Sequence, residues 1–243
     1  MTRLFVFPAL CALLAATAAQ SGGITSPADP GGRAAFDILS AEAARDGDTV
    51  TFRMTLAATA GADRPAPVGT LAGAPVHAYV WPTSLDPAAV GFEGGTGILA
   101  LAATSHPDFD DTPLEDENGD GDPANDGADW HSHWVVLAED AACGAGLKVR
   151  DVSPGQDLLP ATAPLLPIAL DSPGMSPILD GGTARITVSV AGAAEVSFDA
   201  VTAELAVDEK GEAPLLCVTG VHDVASGDLS LPGRVVPGKV GVE

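Results

Sequence analysis

From Thr49 to Ala57, the apolar residues Val50, Phe52, Met54 and Leu56 alternate with Thr49, Thr51, Arg53 and Thr55. A period of two sends successive side chains to opposite faces, so this stretch predicts a strand with one buried and one wet face. Phe36 to Ala43 reads as its hairpin partner, with the turn at Asp46-Gly47-Asp48. Val76 to Leu85 is a third strand, broken by Pro82. It carries His77, Tyr79 and Trp81 on one face and Val76, Ala78 and Val80 on the other. Gly97 to Thr104 is apolar on both faces, as in a strand covered from both sides. Further strands are expected at Trp130–Ala138, Leu147–Val152, Ala184–Val190, Val196–Val207 and Leu215–Val221.

No stretch has the helical period, and no internal repeat is visible. Between Pro154 and Pro177 six prolines impose an irregular crossover. Short strands together with 28 Gly and 20 Pro predict an all-β protein, an antiparallel β-sandwich of Ig-like or jelly-roll-like kind with long irregular loops.

The N-terminus adds a different signal. Arg3, the apolar run Leu4 to Leu14 and the small residues Ala16 to Ala19 read as a secretory signal over residues 1–19. Residues 20–35 would then be a flexible leader, 36–231 a single domain and 232–243 a tail. No apolar run reaches the roughly 20 residues that a helical membrane span needs. The expected location is the periplasm, the medium or the cell surface. In such an oxidising compartment Cys143 and Cys217 would form a disulfide, worth roughly 4 kcal/mol by chain entropy. A thiolate metal site is the alternative for this pair.

Charge narrows the partners. Against 11 basic residues stand 33 acidic ones, a formal net charge of −22. Such a field disfavours nucleic acid and anionic membrane and favours cations. The acids are densest between His106 and Trp134, a stretch that also holds three of the five histidines and two of the three tryptophans.

On a strand beginning at Trp130, His131 and His133 point the same way, with Cβ atoms about 7 Å apart. That pair can chelate a metal with a third ligand from elsewhere, His77 first and His106 second. Imidazoles suit copper or zinc; added carboxylates push toward zinc or manganese. A second site is expected in the loop. Asp116, Asn118 and Asp120 with Gly121 match the first half of a calcium-loop pattern. Position twelve is Gly127 rather than Glu, so Asp122, Asn125, Asp126 or Asp129 would have to complete the shell. No nucleophile elbow, phosphate loop or H-E-x-x-H motif is present, so binding is expected rather than catalysis.

The segments VHAYVWPTSL, TSHPDFDDTP and WHSHWVVL together resemble the copper-repressible surface proteins of methanotrophs, the CorA/MopE type, and the related MbnP-type proteins, over about Phe36 to Val152. The resemblance implies copper held by two histidines and a kynurenine formed from tryptophan. Carried over, the ligands are His77 and one of His131 or His133, with Trp81 or Trp130 as the oxidised ring. It also implies a dihaem peroxidase-like partner. This chain departs from the family in having no Trp two residues before His77 and one surplus strand histidine. The expectation is therefore an exported protein that sequesters or delivers copper through His77, His131, His133 and His106, with a structural calcium at Asp116, Asn118, Asp120, Asp122 and Asp126. The rival is a calcium-stabilised adhesion or interaction domain without a transition metal, and a zinc hydrolase is a further alternative.

Overall fold

The computed structural model describes residues 22–111, 116, 119–123, 125–153, 159–160, 166–172, 174–190 and 196–240. The expected signal segment and residue Asn118 lie outside these. The strands are β1 (Ile24–Thr25), β2 (Ile38–Asp46), β3 (Thr49–Leu56), β4 (Pro75–Pro82), β5 (Ile98–Ser105), β6 (His131–Glu139), β7 (Leu147–Val149) and β8 (Leu170–Asp171). They continue with β9 (Ile178–Asp180), β10 (Thr183–Ser189), β11 (Ser197–Phe198), β12 (Val201–Val207), β13 (Leu216–Val224), β14 (Gly233–Arg234) and β15 (Val236–Pro237). The helical pieces are single 3-10 turns at Pro87–Val90 and Asp126–Ala128. Among the described residues no helix is long and apolar enough to cross a membrane.

The all-β, antiparallel expectation holds, and the strand alternation explains how the layers meet. One sheet runs β1-β2-β3-β10-β9, with β15 parallel on β2. Val50, Phe52 and Met54 of β3 lie opposite Val188, Ile186 and Ala184 of β10, and these side chains are buried on one face. Where an open second layer of a sandwich was expected, the second sheet closes on itself. Its order β5-β4-β12-β13-β7-β6 is completed by pairing of β5 with β6, giving a six-stranded barrel.

Two apolar cores result. Tyr79, Trp81, Leu99, Leu101, Trp134 and Val136 point outward from the barrel wall and pack against the first sheet. Val76, Ala78, Val80, Ala102, Val135 and Ala203 point inward and fill the barrel. This explains why β5 reads as apolar on both faces: it separates two cores. The Cys143–Cys217 disulfide forms, joining the turn after β6 to β13. The segments expected as leader and tail contribute strands, β1 from the former and β14 and β15 from the latter.

Candidate metal centre

On β6 the alternation that sends Trp130, Ser132 and Trp134 one way sends His131 and His133 into the barrel. The register confirms the direction. His133 lies opposite Ala102 and His131 opposite Thr104, and Ala102 and Thr104 lie opposite Val80 and Ala78 of β4. Two residues beyond Thr104, His106 leaves the end of β5 on the same side. Its backbone N–H donates to Gly127 O at 2.6 Å, which ties β5's exit to the 3-10 turn preceding β6. Asp111 closes the group from the loop between these strands.

These four residues are the group among the described residues whose ligand atoms lie within 4.8 Å of one another. The Nε2 atoms of His106, His131 and His133 stand 3.4, 3.3 and 3.4 Å from Asp111 carboxylate oxygens. Side-chain exposure is 3 % or less throughout the group. Charge-assisted N–H···O bonds run at about 2.7–2.9 Å, so these separations are longer than paired groups adopt. The contacts divide between the two carboxylate oxygens, Oδ2 facing His106 and His133 and Oδ1 facing His131, so they gather the four groups without fixing a coordination polyhedron.

The remaining ring nitrogens set the protonation pattern. His106 Nδ1 faces Phe109 O at 2.8 Å, and His131 Nδ1 faces Asp129 O at 2.8 Å. A carbonyl oxygen only accepts, so both Nδ1 atoms carry the hydrogen, and in a neutral ring Nε2 is left with its lone pair. His133 Nδ1 pairs with the Ser172 hydroxyl. Lone pairs thus converge on a carboxylate, and no hydrogen-bond partner satisfies His106 Nε2, His133 Nε2 or Asp111 Oδ1 among the described residues. Acceptors facing acceptors in a buried site call for a cation. Burial favours the neutral form of His133 and brings its pKa down to about 3, against the pull of Asp111. Burial pushes the Asp111 carboxyl up, and positive charge on the neighbouring imidazoles, His133 foremost, pulls it well below the usual range; a cation bound among neutral rings would supply that same pull.

His77 does not join this cluster. It lies opposite Ser105 on the outer face of β4, whereas the cluster uses the Thr104 face. There its Nε2 is 3.4 Å from Glu204 Oε1, its Nδ1 is 3.1 Å from Asp63 O, and its ring meets Phe36 edge-on. Glu204 also pairs with Arg33 and with His222. Grouping His77 with His131 and His133 therefore joined two opposite faces of one sheet. Trp81 and Trp130 also lie on the outer side, in the core against the first sheet, where Trp130 stacks on Tyr79 at 4.6 Å.

In the acidic loop, the Asp116 carboxylate accepts from the N–H groups of Gly119, Asp120 and Gly121. Asp120 accepts from the Asp122 N–H and the Asn125 amide. Asp126 is buried in the 3-10 turn, while Asp116, Asp120 and Asp122 are exposed. Sequence reasoning missed Asp111. Its signal was only proximity to His106, in a stretch where carboxylates are too frequent to single one out. Comparison of the chain with protein-family models, curated proteins and solved structures gives no match, so the chemistry of the centre rests on its own geometry.

Proposed function

We propose that this is an exported metal-binding protein that holds one divalent transition-metal ion at His106, Asp111, His131 and His133 and serves to sequester or deliver it. The observation that carries this reading is the convergence of imidazole lone pairs on a buried carboxylate, with the tautomers of His106 and His131 set by backbone carbonyls. Three imidazole nitrogens and a carboxylate are a donor set that suits zinc. Copper, which the family resemblance implies, binds such donors with higher intrinsic affinity but prefers tetragonal geometry as Cu(II). The paired outer shell of Phe109 O, Asp129 O and Ser172 Oγ orients the rings before the ion arrives.

The test is a titration of chelator-treated protein with Zn²⁺ and Cu²⁺ in competition, with metal content measured after dialysis. One ion per chain is expected, and His131→Ala/His133→Ala should retain the fold and lose the ion. Retention of metal by that double variant refutes the site. Calcium uptake without either transition metal would favour the interaction-domain reading and the loop residues Asp116 to Asp126.

A further inference from the structure

The barrel is not filled to its axis. A cavity of about 70 Å³ lies inside it, lined by apolar side chains such as Ala78, Val135, Val201 and Ala203 and walled on one side by His106, Asp111 and His133. Thr104 also lines it. This residue is 8 % exposed, sits opposite His131, and its Oγ1 is buried with no hydrogen-bond partner among the described residues. An unsatisfied buried hydroxyl costs about 1–3 kcal/mol, so its retention in an apolar chamber needs a reason.

Charge supplies one. Three neutral imidazoles, one carboxylate and a divalent ion sum to a net charge of +1 in a chamber to which the described residues add no other charge. An uncompensated buried charge is costly. A monoanion cancels it, the cavity limits that anion to a few heavy atoms, and Thr104 offers it a hydrogen-bond donor.

We propose that the metal ion bound here takes a small monoanion as a further ligand, seated in the barrel cavity and accepting a hydrogen bond from the Thr104 hydroxyl. This rests on the metal-binding reading above and goes beyond it: the centre becomes a receptor for an exogenous anion. Zinc-type centres expand from four ligands to five in catalytic sites, and the cavity beside this one leaves space for the fifth.

Cobalt(II) and azide are the probes. Cobalt replaces the native divalent ion and reports its coordination in the visible spectrum; azide is a linear monoanion of three heavy atoms. Protein loaded with one cobalt per chain should change its visible spectrum saturably with azide while retaining the metal. Thr104→Val should weaken azide about tenfold, Thr104→Ser should restore it, and Ala203→Leu, which fills the chamber from β12, should abolish it. Cobalt content is measured for each variant. Failure of the wild type to take up cobalt overturns both readings. Stoichiometric cobalt with no azide response, displacement of cobalt by azide, or equal azide affinity in Thr104→Val and wild type overturns the anion proposal alone.

Discussion

At the scale of single residues, His133 shows what the site does to its own ligands. An imidazole in the unfolded chain takes a proton below about pH 6.5, whereas burial holds the folded His133 neutral down to about 3. Between these values the unfolded state binds the extra proton, so stability falls as pH drops. Asp111 contributes in the same sense at lower pH: its depressed carboxyl stabilises the fold above the ordinary carboxylate range, and that contribution is lost as pH falls through and below it. Metal-free protein should therefore lose on the order of 1 kcal/mol per pH unit between pH 6 and 4 through His133. Urea midpoints measured at both pH values, in wild type and His133→Gln, check this; an unchanged slope in the variant would assign the acid sensitivity elsewhere.

At the scale of elements, the site is a hairpin with a long connection. β5 and β6 pair from Ile98–Leu137 to Thr104–His131, and the connection between them returns to touch β5 where His106 N bonds Gly127 O. Gly127 is required there by space. A Cβ at this position would stand 2.0 Å from Phe109 O and 2.7 Å from His106 O, both backbone atoms that cannot swing aside. Gly127→Ala should cost about 1–3 kcal/mol. It should also weaken zinc by displacing the carbonyl that orients His106. A thermal melt and a zinc titration on the same variant separate the two effects, and unchanged affinity would show that Phe109 O does not aim the ring.

The same elements show what the sequence makes legible. Alternation located most of the long strands to within a few residues and correctly put His131 and His133 side by side. It also set His77 with Tyr79 and Trp81, as found. What alternation cannot supply is which face of one strand meets which face of another; that depends on register, and it sent His77 to Glu204. The two-residue strands β1, β8, β11, β14 and β15 are too short to show a period. Asp111 comes from irregular chain, where no periodicity assigns direction.

For the whole molecule, the disulfide carries the clearest prediction. Cys143 and Cys217 are 74 positions apart and tie β13 to the turn between β6 and β7. Reduction frees a loop worth roughly 4 kcal/mol in the unfolded chain, which for a protein of this size corresponds to a fall of roughly 8–16 °C in Tm. Calorimetry with and without reductant measures it. Metal content should stay at one ion per chain below the new Tm, since no ligand is a cysteine; loss of the ion on reduction would show that the barrel wall, not the hairpin, holds the site.

The ring β5-β4-β12-β13-β7-β6 closes at one seam, and the four ligands straddle it. All fall between residues 106 and 133, whereas β12 and β13 are made much later. As the chain emerges, the ligands are complete before half the barrel wall exists. Short loops close at little entropic cost and early in folding. An ion bound to the nascent hairpin would therefore bear on the order of assembly as well as on the finished protein, pinning β5 and β6 before β7, β12 and β13 arrive to close the wall.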